Sequence, residues 1–310
     1  MYTKRASKAN AHTDAIYSVQ WTSSGDIVTG SLDETVCVWS HTHTTGTDES
    51  GGHGKDSFVQ KKVYEGHDLG VISAVVRQDG KQMAVSSLDC QIRLYDAESG
   101  TLENAIDAGP VESWSLAYHP TNPVLATGGQ DGNVTLWDSQ KAEKMSTLNL
   151  PNGNFILSVD YAKDGKTVAA GSHAGAVGVF DTEASKLAYS FDDLKMPVRS
   201  VGYSKDGNLL FAACDDTHVN MYDCRQQKKI SSLTSHSGWV LGLDVSPDGK
   251  HFATGSSDNT VNVWDIGLRK CLHTFDSRSE QVWDVAYNSD GRKLVSVGDD
   301  AGLFMYELGH

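Results

Sequence analysis

A histidine, a serine and an aspartate stand at matching spacing three times in this chain: His12, Ser31 and Asp33; His67, Ser87 and Asp89; His236, Ser256 and Asp258. Each serine lies two residues before its aspartate, and each histidine 21 or 22 before it. These are the side chains of nucleophilic acyl transfer, in which a base takes the hydroxyl proton and a carboxylate orients the base. That chemistry needs one convergent set. A trio repeated along the chain is instead a structural unit, a buried polar network that satisfies itself and ties strands together. His41, His43 and His53 are the other group with ligand chemistry, but no carboxylate or cysteine accompanies them at a fixed zinc-site spacing. A solvated loop is expected there, with no metal and no cofactor. There is also no G-x-x-x-x-G-K-[ST], no G-x-S-x-G and no H-E-x-x-H, so no enzymatic activity is expected.

The elements that carry these residues follow one period. Aromatic residues close a short apolar-polar run at Trp39, Tyr95, Trp137, Phe180, Tyr222, Trp264 and Tyr306. Six residues before each stand Asp33, Asp89, Asp131, Ala174, Asp216, Asp258 and Asp300. The intervals between closing residues are 56, 42, 43, 42, 42 and 42. A period near 42 over the whole chain means one repeat architecture. In the sixth repeat, Val240, Leu243 and Val245 mark one β-rich run, and Ser246-Pro247-Asp248-Gly249 is a turn. Phe252 to Gly255, Val261 to Trp264 and Cys271 to Phe275 supply three more runs. Four short antiparallel strands per repeat make one propeller blade, and seven repeats make an all-β, single-domain, seven-bladed β-propeller.

These residues resemble the WD-repeat family of β-propellers. With Trp39, Tyr95 and Trp264, the three trios match the family's His–Ser–Asp–Trp hydrogen-bond network; Tyr95 departs from the pattern but keeps a hydroxyl donor. The seventh repeat ends at Leu308 with no residues left for a fourth strand. Residues 1–10 are therefore expected to be the outer strand of blade 7, closing the ring and hiding its edge. The long first interval places an insert at 41–57, between the third and fourth strands of blade 1. Its Gly, Ser, Thr, His and Asp residues predict a flexible loop.

Net charge is −14. Nucleic acid requires a basic stripe, and the paired lysines at 61–62 and 228–229 are isolated, so no direct nucleic-acid binding is expected. The five cysteines form no C-x-x-C pair, which fits a reducing compartment. No apolar run approaches 18 residues and the N-terminus has no apolar h-region. The expected location is the nucleus and cytoplasm, with no membrane partner.

In the family, the residue five positions after the His position lines the top rim of the channel. Here these are Tyr17, Ile72, Trp114, Leu157, Arg199, Leu241 and Trp283. The resemblance also assigns Phe155, Trp239 and Glu112 to that rim, and Asp215 and Asp299 just before the turn aspartates. The set is rich in Trp, Tyr, Phe and Arg, the residue types of protein–protein hot spots, and its acids suit a peptide with a basic residue and an apolar anchor. The stretches at 86–96, 107–120, 154–166, 236–248 and 281–300 are similar to one subgroup, the WD-repeat subunit of the superkiller complex. That subgroup also serves in the RNA-polymerase-associated factor complex. The resemblance implies a non-catalytic scaffold, monomeric within a hetero-complex. Its partners would be a helical-repeat scaffold and a helicase in cytoplasmic mRNA decay, and polymerase-associated subunits in elongation and histone modification. The alternative is a generic peptide or histone-tail reader, or a ubiquitin-ligase substrate adaptor.

Overall fold

The computed structural model describes residues 2–43, 56–109, 113–276 and 278–308. Among them lie 28 strands in seven four-stranded antiparallel sheets. β1 (Tyr2–Lys8) comes first. Blade 1 is β2 (Ile16–Trp21), β3 (Ile27–Ser31), β4 (Val36–His43) and β5 (Asp56–Tyr64). Blade 2 is β6 (Val71–Val76), β7 (Gln82–Ser87), β8 (Gln91–Asp96) and β9 (Leu102–Asp107). Blade 3 is β10 (Ser113–Tyr118), β11 (Val124–Gly129), β12 (Asn133–Asp138) and β13 (Glu143–Asn149). Blade 4 is β14 (Ile156–Tyr161), β15 (Thr167–Ser172), β16 (Val177–Asp181) and β17 (Lys186–Phe191). Blade 5 is β18 (Val198–Tyr203), β19 (Leu209–Cys214), β20 (His218–Asp223) and β21 (Lys228–Thr234). Blade 6 is β22 (Val240–Val245), β23 (His251–Ser256), β24 (Val261–Asp265) and β25 (Lys270–Phe275). Blade 7 is β26 (Val282–Tyr287), β27 (Lys293–Gly298) and β28 (Leu303–Leu308), with β1 as its outer strand. Each innermost strand lies beside that of the next blade, and β26 lies beside β2, so the ring is closed.

The recurring aspartate explains the tight β3–β4 type of turn. Its carboxylate accepts the amide of the residue two ahead: Thr35 on Asp33, Gln91 on Asp89, Asn133 on Asp131, His218 on Asp216, Thr260 on Asp258 and Gly302 on Asp300, all at 3.0–3.1 Å. The residue between takes positive φ, as at Glu34 (69°), Gly132 (74°) and Asn259 (67°). Blade 4 has Ala174 there; Gly175 supplies the positive φ, and the Ser172 hydroxyl accepts the Ala176 amide instead. The aspartate period is thus first a turn device.

The core is divided among the blade junctions. Seven apolar clusters each join residues of adjacent blades. The closing aromatics Trp39, Phe180, Tyr222, Trp264 and Tyr306 are at most 1% exposed. Blades approach closely; a Cβ at Gly30 would lie 2.7 Å from a Val71 methyl.

β1 pairs antiparallel with β28 from Tyr2–Leu308 to Lys8–Leu303. Its polar composition suits an outer strand: Ala6 is buried, the Lys4 amine sits 4.1 Å over the Phe304 ring, and Arg5 pairs with Glu307. The blade-1 insert is shorter than the 41–57 expected. His41, Thr42 and His43 pair with Phe58, Ser57 and Asp56, because β4 and β5 continue as one hairpin and Phe58 buries against Ala6 and Trp39. His41 Nε2 lies 3.2 Å from Asp56, so it belongs to that hairpin. The rest of the insert, 44–55 with His53, lies outside the described residues.

Candidate partner-binding face

The second residue of every innermost strand sits at a β-bulge. Pairing with the next strand skips Tyr17, Ile72, Trp114, Leu157, Arg199, Leu241 and Trp283 in turn. A bulge re-aims the unpaired side chain, and seven bulges turn seven side chains toward one axis. They line a single channel mouth of about 130 Å³. Its aromatic wall residues are Tyr17, Trp114 and Trp283. Tyr17 stacks on Trp283 at 4.4 Å and 19°, and Trp114 meets Phe155 edge-on at 5.6 Å. Ile72, Leu157 and Leu241 line the mouth with only 5–6% exposure.

Two of the rim acids, Asp215 and Asp299, are tied to neighbouring side chains. Asp215 is buried and held bidentate by Arg199, at 2.9 and 2.8 Å. Asp299 accepts Trp283 Nε1 at 2.5 Å and Gln281 Nε2 at 2.6 Å. Both carboxylates serve to hold rim side chains in place. Glu112 lies outside the described residues. The Arg199 guanidinium also lies 5.6 Å over the Trp239 ring. Trp239 itself is 49% exposed, with Leu69 at 48% and Met196 at 43%, each on a loop entering an innermost strand at this same end.

The polar networks stand behind this face, and their shared hydroxyl is not the one expected. In blade 1, His12 Nδ1 lies 2.9 Å from Asp33 and Nε2 2.7 Å from the Thr29 hydroxyl, which also accepts Trp39 Nε1 at 2.9 Å. In blade 6, His236, Asp258, Thr254 and Trp264 repeat this at 3.0, 2.7 and 2.8 Å. Ser31 and Ser256 instead accept the amides of Asp33 and Asp258 and lie outside the His–Trp link. The reason is register. Thr29 and Thr254 each lie ten residues before the Trp that they meet across a strand pair, a spacing the sequence holds but that the Ser–x–Asp pattern obscures. Burial alone would raise the Asp33 and Asp258 carboxyls, but the histidine ring, the Thr35 or Thr260 hydroxyl and a backbone amide hold both well below the usual carboxylate range.

Blade 2 is a variant. Val85 occupies the threonine position, so Tyr95 Oη meets His67 Nε2 at 3.4 Å. Arg93 stands between His67 and Asp89, 3.2 Å from the ring and 2.7 Å from the carboxylate. Burial and then Arg93 lower the His67 pKa to about 4. Ser87 donates to the Leu69 carbonyl at 2.7 Å, again outside the link. Sequence reading missed the polar network of blade 7. There Arg278, 22 residues before Asp300, takes the histidine's place, donating to the Ser296 carbonyl and to Asp300. Ser296 Oγ meets Tyr306 Oη at 3.1 Å. A search for any long polar residue at the histidine offset finds it.

Two family profiles match the chain. One, described as echinoderm microtubule-associated protein second beta-propeller, covers residues 113–267, half of the chain. The other, WD domain, G-beta repeat, covers residues 4–40, 58–96 and 269–307. Among curated relatives, the chain is 34% identical to WD repeat-containing protein VIP3 of Arabidopsis thaliana over 62% of this chain and 61% of that protein. It is 34% identical to WD repeat-containing protein SL1-17 of Schistosoma mansoni, over 64% of each. Meiotic recombination protein rec14 of Schizosaccharomyces pombe is 25% identical over 62% of this chain and 60% of its own. The matches span about three-fifths of these relatives.

Proposed function

Because the chain belongs to the WD-repeat family of β-propellers, we propose that it is a non-catalytic scaffold that holds protein partners on the bulge-lined rim of its channel. The observation that carries this reading is the exposure of Leu69, Met196 and Trp239, on the entry loops of blades 2, 5 and 6, at the same end as the aromatic mouth. Large apolar side chains left exposed on several loops at one rigid end of a ring suit an interaction surface, and a rigid aromatic anchor there can dominate an interface. The two WD repeat-containing relatives support an interaction role of this general kind.

The finer reading rests on the subgroup likeness of the non-consensus stretches. The chain is a subunit of the superkiller complex in cytoplasmic mRNA decay, beside a helical-repeat scaffold and a helicase. It also works in the nucleus, in the RNA-polymerase-associated factor complex, in transcription elongation and histone modification. It enters each as one copy in a hetero-complex, without touching nucleic acid or membrane itself; the −14 charge disfavours a phosphate backbone. Affinity purification of the tagged chain from nuclear and cytoplasmic extracts, read by mass spectrometry, tests this. The expected result is the helical-repeat and helicase subunits from cytoplasm and polymerase-associated subunits from nucleus. Recovery of a ubiquitin-ligase core, or of histones alone, would overturn it in favour of an adaptor or a reader.

A further inference from the structure

At the sixth and last residue of the innermost strand, five blades carry a ring: Trp21, Tyr118, Tyr161, Tyr203 and Tyr287. These rings turn toward the preceding blade. Trp21 Nε1 donates to the Ala286 carbonyl at 3.1 Å and Tyr118 Oη to Gln82 at 3.1 Å. Tyr203 Oη meets the Thr167 hydroxyl at 3.1 Å, Tyr161 sits edge-on to His119, and Tyr287 packs with Ala253 and Val263. Blades 2 and 6 have Val76 and Val245 there instead. The junction of blades 5 and 6 makes good the lost volume. Phe211, Met221, Phe252 and Ile266 join one cluster with Val245, the two phenyl rings 4.7 Å apart. The junction of blades 1 and 2 does not. The same pairing register and spacing put the smaller Val28, Val38, Met83 and Ala97 at those four positions. Interiors are close-packed, so a ring lost without replacement leaves open space. A cleft of about 710 Å³ lies there, lined by Val28, Val38, Tyr64, Val76 and Met83.

A second observation is a polar group at the place where the other rings find theirs. Gln82 and Thr167 each stand one residue before the partner of a closing aromatic, Met83 opposite Tyr95 and Val168 opposite Phe180. In blade 1 that place, one before Ile27 opposite Trp39, is Asp26, on the wall of the cleft. Its carboxylate accepts the Lys61 amine from the mouth at 2.8 and 2.9 Å and has further lone pairs to offer. We propose that the cleft is a second binding site, which takes the side chain of a tyrosine carried by a partner protein. The ring would stand where blade 2 lacks one, and its hydroxyl would donate to Asp26 as Tyr118 does to Gln82. The Tyr64 ring on the same wall adds an aromatic contact. The cleft exceeds the volume of one ring, which leaves room for the residues beside the tyrosine. Exposed Lys81 and Glu98 line it too, a donor and an acceptor for the backbone of such a segment. The loops at 22–26 and 77–81 place the site at the end away from the channel rim, so it goes beyond the rim reading and does not depend on it.

The test uses the full chain with methyl-labelled methionine and valine, followed by NMR during titration with p-cresol, toluene and acetyl-Gly-Ser-Tyr-Ser-Gly-amide. Saturating shifts at the Met83 and Val76 methyls are expected, with p-cresol bound at least about fivefold more tightly than toluene and the difference lost in Asp26→Ala. The peptide should bind more tightly than p-cresol, and its phosphotyrosine form at least about tenfold more weakly than the plain peptide, because Asp26 repels a phosphate. Val76→Tyr supplies the missing ring from the chain itself, so it should melt higher than the parent and lose the shifts. Absence of saturating shifts at the two methyls of the parent chain would overturn the site, whatever the variants do. Toluene binding as tightly as p-cresol, or a difference that persists in Asp26→Ala, would overturn the tyrosine assignment. A peptide no tighter than p-cresol would overturn the protein partner in favour of a small phenol. A Val76→Tyr chain that melts below the parent would show that the junction has no room for a ring and would count against the cleft.

Discussion

At the scale of single residues, the same aspartate does two jobs that mutation can separate. Asp131 makes the turn alone, since Gly109 stands at the histidine offset; Asp258 makes the turn and also holds His236. Asp258→Ala should therefore cost more than Asp131→Ala by roughly 1–3 kcal/mol in urea unfolding, the cost of stranding buried donors. Equal costs would refute the network. The channel carboxylates predict a pH dependence of opposite sign. Burial first, with Asp244 nearby, raises Asp284 to about 7, while its oxygens accept the Val19 and Val285 amides. A folded-state pKa raised above the unfolded value near 4 means that the folded form favours the neutral acid. Its stability is fully present below about pH 4 and is lost as pH rises through about 7. Asp284→Asn should thus become more favourable relative to the parent chain by roughly 2–4 kcal/mol between pH 4 and pH 8. A parent–variant difference that stays flat over that range would contradict the burial argument.

At the scale of elements, the turn and the closing aromatic were legible because both are local: an Asx turn and a buried ring each need one residue type at one offset. The N-terminal strand was legible by elimination, since blade 7 lacked an edge. What stayed hidden depends on pairing register. Thr29 and Thr254 meet their tryptophans only across a strand pair, and the bulge that turns Arg199 or Trp283 into the channel leaves no mark in apolar–polar alternation. The hold of Arg199 on Asp215 and of Trp283 on Asp299 stayed hidden for the same reason, because that bulge aims both partners. Ring closure gives the element-scale prediction. Removing residues 1–8 strips β1 from β28, uncovers Phe304 and Leu308, and leaves a free edge. The truncated chain should melt lower in calorimetry and aggregate in size-exclusion chromatography with light scattering. An unchanged melting temperature with a monodisperse peak would show that β1 contributes nothing to closure.

At the scale of the whole molecule, seven junction clusters make a stiff ring, and stiffness is what lets side chains from separate blades act as one surface. The ring presents that surface at one end and a polar vestibule at the other, joined by the channel. The central claim is that the bulge-lined end is a recognition face. Trp239 is the cleanest probe, because half of it faces water while Trp114 is partly packed against Phe155. The decisive measurement is the affinity of Trp239→Ala for the helical-repeat subunit of the superkiller complex, by calorimetry, with melting temperature recorded in parallel. The account predicts near-native melting and binding weaker by about 2 kcal/mol or more, roughly thirtyfold. Native affinity in a stably folded Trp239→Ala chain would contradict it and move the interface to a side or to the opposite face.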